Sequence, residues 1–354
     1  MNPRSRHSMG TLFSTSGLEP TSDTRAVLPY PNGWFALLPA HELERGAVQH
    51  MPFMGQEIVF YRTQAGHARA CEPYCPHLGA HLGHGGSVVG EELVCPFHHF
   101  AYAADGSCTR TGCGDRPPRI SLKHFPVREI NDMLYVWHHH RDAPPDWEPP
   151  ILDVDGFARH RYGKLSIFGH WDDMIENVCD TSHFPILHEL PSWHLTEQIV
   201  DGSSMRLTLD VNYLDRIAMP IHVTFYGIGL GYLESEYAPW GMRFRMHMSM
   251  TPIRPLETIL MHSEAIYLER PAFVPGTLRA ALSRVLVTIL HRIHVRQMEK
   301  DIVIWNHRKR LDRPSLCASD APIVASRRWS KQFFPSDEPE TQLTSRGTEI
   351  RLIG

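Results

Sequence analysis

Cys75-Pro-His77 is followed, after seventeen intervening residues, by Cys95-Pro-Phe-His98. Each half offers one thiol and one imidazole. Together they suit a [2Fe–2S] cluster in which two cysteines hold one iron and two histidines the other. Tetrahedral zinc takes the same donors, but zinc sites group cysteine with cysteine and histidine with histidine at short spacing, whereas here the two types alternate. Pro76 and Pro96 fix φ in the two loops, and Gly79, Gly83, Gly85 and Gly86 permit tight turns beside the inorganic core. His81, His84 and His99 lie close by, but their spacings complete no second pair. They read as surface or supporting groups.

Such a cluster only carries electrons, so a second centre is expected. Residues 176–188 read ENVCDTSHFPILH, an acid followed by H-x4-H. On a helix Glu176, Asp180 and His183 would share a face. Pro185 disfavours helix at Phe184, so the chain should turn there and aim His188 back beside His183. Two imidazoles are two-thirds of the facial triad that holds non-haem Fe(II). Asp301 is the expected third ligand, on a helical face shared with Met298, Ile304 and Trp305. A carboxylate on an apolar face is costly unless paired or metal-bound. The other reading of Asp301 is a buried salt bridge to Arg296 or Arg308. Glu299, which faces another way, is the alternative ligand.

The elements that must position these groups follow from the pattern along the chain. Residues 1–28, rich in Ser, Thr, Arg and Pro, read as a flexible tail. A first domain over 29–143 shows short β-like runs between Gly and Pro, such as 57–61 (EIVFY) and 133–137 (MLYVW). The segment 141–150, RDAPPDWEPP, holds four prolines and is the candidate boundary. A second domain over 150–335 has strand-like stretches at 205–211 and 257–268 and a helical pattern over 276–311. Residues 336–354 read as a C-terminal tail. Gly227, Gly229 and Gly231 lack the continuation of a dinucleotide fingerprint.

Composition narrows the function class. The 354 residues are enough for a sizeable core, and 42% hydrophobic with 21% charged residues is ordinary for a soluble globular protein. A net charge of −4 points to no nucleic-acid partner. Seven cysteines, an odd count in a chain this long, do not make a secreted disulfide framework. The N-terminal residues contain no apolar signal core. The most apolar run, 285–290, is far too short for a transmembrane segment. The expectation is a cytoplasmic protein.

With both metal motifs in one chain, the sequence resembles the oxygenase α-components of Rieske non-haem iron hydroxylases. The stretch DIVIWNHRK from Asp301 and residues 320–334, DAPIVASRRWSKQFF, are most similar to the 3-ketosteroid 9α-hydroxylase oxygenases and the cholesterol 7-desaturases. Prodiginine oxidative cyclases share much of the pattern. High-potential respiratory Rieske proteins carry an extra cysteine after each half-motif, where this chain has Ala80 and Phe97.

The resemblance implies an α+β fold, with a Rieske β-sandwich packed on a helix-grip catalytic domain built on a curved antiparallel sheet. It implies a [2Fe–2S] cluster at Cys75, His77, Cys95 and His98, and a mononuclear Fe(II) at His183, His188 and Asp301. It also implies a homotrimer in which Asp180 bridges a cluster histidine and an iron histidine across the subunit interface. Electrons would come from NAD(P)H through a ferredoxin or flavin reductase, with O2 as co-substrate. The substrate would be hydrophobic and polycyclic, steroid-like, and would be hydroxylated. Tyr213, Phe225, Tyr226, Tyr232, Tyr237, Trp240 and Phe244 are candidates to line its pocket, with sheet core as the plainer reading of each. Desaturation and oxidative cyclisation use the same iron and stay open. The rival of another class is a Rieske electron carrier with no second iron.

Overall fold

A computed structural model describes residues 27–335, apart from 153–156, 158–160, 191–192, 214–216, 271–272 and 312, together with 348–350. The expected tails at 1–28 and 336–354 fall almost wholly outside these residues. Residues 348–350 depart from the tail expectation: they form a strand on the sheet edge, where unpaired backbone groups invite pairing.

The N-terminal strands are β1 (Gly33–Pro39), β2 (Val48–Phe53), β3 (Gln56–Arg62), β4 (Ala68–Cys71), β5 (Ser87–Val89), β6 (Glu92–Val94), β7 (Ala101–Tyr102), β8 (Cys108–Arg110), β9 (His124–Phe125), β10 (Val127–Ile130) and β11 (Met133–His138). They form three antiparallel sheets, β2-β3-β4-β9, β5-β6-β7-β8 and β1-β11-β10. The run MLYVW in β11 is apolar at every position because both of its faces are covered. Leu134 and Val136 join Phe35, Leu37 and Ile58 in the core of the first half. Met133, Tyr135 and Trp137 point the other way, onto Leu230, Tyr232, Ile259 and Met261 of the second half. Alternation along a strand makes this division automatic. Trp147, in the proline-rich segment, packs against Trp137 and accepts a hydrogen bond from Trp34 Nε1 at its carbonyl.

The second half is one antiparallel sheet of β12 (Arg161–Phe168), β13 (Trp193–Asp201), β14 (Ser204–Tyr213), β15 (Ile217–Tyr226), β16 (Leu230–Tyr237), β17 (Met242–Arg254), β18 (Glu257–Leu268) and β19 (Thr348–Ile350). Its order is β12-β18-β17-β16-β15-β14-β13-β19. One face carries Leu207, Phe225, Met246, Met248 and Leu260, and it is covered by the helices α1 (Asp173–Cys179), α3 (Gly276–His307) and α4 (Ala321–Ser330). The fourth helix, α2 (Phe184–Leu187), is a single turn. At 32 residues α3 runs about 48 Å and lies along β12 and β18.

Helix α3 buries Val287, Asp301 and Trp305, with Met298 packed against the same core. Ile304, expected on that face, is instead half exposed. The buried stripe is rotated toward Met298 and Trp305, which lie about 60° and 40° to one side of Asp301, whereas Ile304 lies about 60° to the other. The helix also stops at His307, short of residue 311, because Arg308 is extended (φ −78°, ψ 149°) and turns its guanidinium toward α1. Among the described residues no helix is long and apolar enough to cross a membrane.

Candidate metal centres

Cys75 and Cys95 sit in two loops of the first half, after β4 and after β6 respectively. Backbone bonds draw each loop tight around its cysteine. Gly79 N–H donates to Cys75 O and Cys75 N–H to Ala80 O; Cys95 N–H donates to Phe100 O and His99 N–H to Cys95 O. Gly79 (φ 75°) supplies the left-handed turn the first loop needs, and His99 (φ 54°) adopts that conformation in the second. Both thiols are buried, while His77 and His98 are half-buried, with ring centroids 4.9 Å apart. Phe100 stacks under His77 at 4.0 Å. Burial pushes the Cys95 thiol up, and the adjacent Cys75 adds to this. The Tyr102 hydroxyl lies 2.9 Å from Cys75 Sγ, placed to donate to a thiolate there. The loops thus bring all four predicted residues to one end of the domain.

His183, His188 and Asp301 converge in the second half. His183 Nε2 lies 3.7 Å and His188 Nε2 3.2 Å from Asp301 Oδ1. The opposite ring nitrogens fix the tautomers. His183 Nδ1–H donates to the Asp180 carbonyl at 2.5 Å, and His188 Nδ1–H donates to Gln297 Oε1 at 3.0 Å. Both Nε2 atoms therefore present lone pairs toward an anionic oxygen. His183 Nε2 and Asp301 Oδ1 are buried with no hydrogen-bond partner. With both imidazoles neutral, three lone pairs would converge and repel, so this donor set fits a cation. Burial lowers the His183 pKa, outweighing the Asp180 carbonyl and Asp301. Burial also acts to lower that of His188, but Asp301 and Gln297 raise it more.

The predicted shared face of Glu176, Asp180 and His183 is not formed. Helix α1 ends at Cys179, and Asp180 leaves the helical region (φ −85°, ψ 86°) to cap the following turn through Ser182 N–H. Glu176 points away from the triad, into an ionic cluster with Arg308, Arg310 and Arg327. Asp173 pairs with Arg308 and Asp172 with Arg310. Arg308 is thus occupied by α1 and does not neutralise Asp301. Burial acts to raise the Glu176 carboxyl, but the three arginines hold it below the usual range. The cluster ties α1, which leads into His183 and His188, to the end of α3, which carries Asp301.

Sequence reasoning missed two supports. Gln297, one turn before Asp301, orients His188, and Lys300 Nζ donates to Leu187 O at 3.0 Å. For Gln297 the i, i+4 spacing from Asp301 was the available signal; Lys300, next to Asp301 in the chain, gave none. Further along the same helix, His291 Nδ1–H donates to Glu264 Oε2 at 2.5 Å while His262 Nδ1–H donates to Oε1 at 3.0 Å. Burial would raise the Glu264 carboxyl, but His262, the nearby His294 (Nδ1 at 3.6 Å) and His291 hold it well below its ordinary range. This clamp fixes α3 on β18, and its signal is split between those two segments.

The proposed pocket aromatics divide by strand alternation. Phe225 and Phe244 lie on the helix-covered face, Phe244 against His294. Tyr226 and Tyr232 lie on the opposite face toward the first half, where the Tyr232 hydroxyl meets those of Tyr135 and the Asn131 amide. Trp240 is exposed, and the Tyr213 side chain lies outside the described residues.

Two family models match the chain, a Rieske [2Fe-2S] domain over residues 33–126 and a 3-ketosteroid 9α-hydroxylase C-terminal domain over 136–334. A cholesterol 7-desaturase of Bombyx mori is 30% identical, over 86% of this chain and 70% of its own. The oxygenase component of a 3-ketosteroid-9-alpha-monooxygenase of Mycobacterium tuberculosis is 26% identical, over 90% and 86%. The crystal structure of dicamba monooxygenase bound to dicamba superposes with a TM-score of 0.65 at 18% identity, over 87% of this chain and 98% of that one.

Proposed function

Because this chain belongs to the Rieske non-haem iron oxygenases with a catalytic domain of the 3-ketosteroid 9α-hydroxylase type, we propose that it hydroxylates a hydrophobic polycyclic substrate of the steroid class. The observation that carries the reading is the convergence of His183 Nε2, His188 Nε2 and Asp301 Oδ1 in a chain that also holds two Cys/His loops. A bare electron carrier has no use for the first.

In this reading Cys75, Cys95, His77 and His98 hold the cluster, and His183, His188 and Asp301 hold the mononuclear iron. When bound, the cluster supplies single electrons and the iron activates O2 beside the substrate. The chain's own residues do the positioning. The Asp180 carbonyl and Gln297 keep both imidazoles in the tautomer that offers Nε2. Asp301 supplies the negative charge that two neutral imidazoles lack, and its burial keeps water from competing for it. Electrons would derive from NAD(P)H through a ferredoxin or flavin reductase. Leu78 and Phe97 flank the half-buried cluster histidines and are exposed, as is Ile186 in the turn between His183 and His188. Exposed apolar groups at both centres support a homotrimer in which the cluster face of one copy seats on the iron face of the next.

The test is turnover. The chain, supplied with a reductase, ferredoxin, NADH and O2, should consume O2 with 3-ketosteroids or sterols and return products one oxygen heavier. Products lacking two hydrogens would make it a desaturase. Absence of any steroid-dependent O2 uptake, with both metal sites loaded, would remove the substrate class.

Asp180 gives a second expectation. Its carboxylate is one-third exposed, with Oδ1 on Ser182 and Oδ2 3.8 Å from His183 Nδ1. We place it at the subunit junction, as a positioning residue between the two centres. Asp180→Asn should keep all iron and the Ser182 bond yet lower kcat about 10–100-fold, the usual cost of losing a group that orients a ligand. Cluster reduction by dithionite should be unchanged. Slow reoxidation by O2 with substrate bound would mark the defect as transfer between centres, and wild-type reoxidation would refute it.

A further inference from the structure

His81 and His84 complete no ligand pair in the sequence, yet the structure brings a third histidine to them from another strand. His50 on β2 faces both, with ring centroids 4.4 Å from His84 and 5.2 Å from His81, and His81 and His84 are 4.6 Å apart. The two histidine pairs of the metal centres above have separations of 4.9 and 5.0 Å. One ring nitrogen from each of the three lies within 4.8 Å of the other two. Glu57, on β3, supports the group: His81 Nε2–H donates to Glu57 Oε2 at 2.7 Å, and His50 Nδ1 lies 3.5 Å from Oε1. His50 Nδ1 is buried and has no hydrogen-bond partner.

We propose that His50, His81 and His84 bind a divalent transition metal of the zinc class, with Glu57 orienting His81 and offsetting the charge. The tautomer of His81 supports this. Its Nε2 proton is committed to Glu57, which leaves Nδ1 as the donor, the carboxylate–histidine–metal arrangement. Nδ1 now accepts from Gly83 N–H at 3.1 Å, and the ion takes over that lone pair. Bonds of 2.0–2.1 Å at tetrahedral angles need donors about 3.4 Å apart. His84 is exposed and free to rotate inward, and solvent completes the fourth position. The position gives the site a purpose. His81 and His84 lie on the loop that carries Cys75 and His77, so an ion shared with His50 would staple that loop to β2 and slow its opening.

The holoenzyme, dialysed against micromolar zinc and then against buffer, should retain about one zinc per chain beside three irons. His84→Ala and His50→Ala should each lose the zinc and keep the irons, and Glu57→Gln should weaken binding about 10–100-fold. Loss of cluster absorbance in air should slow severalfold with zinc in the wild type and stay unchanged in His84→Ala. Zinc that replaces one iron, or that persists in both alanine variants, would overturn the site. Zinc bound with no change in bleaching rate would overturn the stapling.

Discussion

Asp301→Ala is expected to lose the mononuclear iron and to cut turnover on the order of 10³-fold or more, the scale seen when one member of a unit at the reacting centre is removed. The cluster signal should be untouched, because its loops lie in the other half of the chain. The charge argument sets the size of the effect. As iron ligands His183 and His188 would be neutral imidazoles, with Nδ1–H on the Asp180 carbonyl and on Gln297, so Asp301 is the one anion of the three. Without it a divalent ion keeps both positive charges in a buried site. Glu299→Ala is the control, since Glu299 is exposed and about 160° around the helix from Asp301. Iron content by metal analysis decides the matter. Retention in Asp301→Ala, or loss in Glu299→Ala, would move the ligand.

Glu176→Ala should be the most damaging change outside the metal centres, by about 3–5 kcal/mol. Glu176 is buried and accepts bonds from Arg308, Arg310 and Arg327, so truncation leaves three guanidinium groups facing one another with only Asp172 and Asp173 to offset them. A fall in Tm on the order of 10 °C is expected. The pH dependence has a definite sign. The folded carboxyl titrates below its unfolded value of about 4.3, so its contribution is full above that value and fades as pH drops through the lower folded pKa. Wild type and variant should therefore differ most near neutrality and draw together in acid. Equal Tm values at pH 7 would show the cluster to be dispensable.

The two candidate centres were legible because a metal-binding pattern constrains spacing locally. The pairs Cys75/His77, Cys95/His98 and His183/His188 are each closed within one short stretch, and so left a pattern in the chain. Asp301 was legible for another reason, an acid on an otherwise apolar helical stripe. What spacing could not reveal is where a helix yields to tertiary demands. A run compatible with helix through Asp180 ends at Cys179, because Glu176 is drawn to arginines more than 130 residues away and Asp180 is needed as a cap. The same demand ends α3 at His307, where Arg308 extends toward α1. The Glu264 clamp and the His50–His81–His84 group each draw on well-separated segments, so neither leaves a local signature.

Strand β11 presents Leu134 and Val136 to one core and Met133, Tyr135 and Trp137 to the other. Such a strand serves two masters in alternate letters. A recombination event cutting at the proline-rich segment would look clean in the sequence, yet it would carry away three side chains cut to fit Leu230, Tyr232, Ile259 and Met261. The half of this chain that holds the two Cys/His loops is therefore a poor cassette. It can change partners only if the far half changes its footing with it.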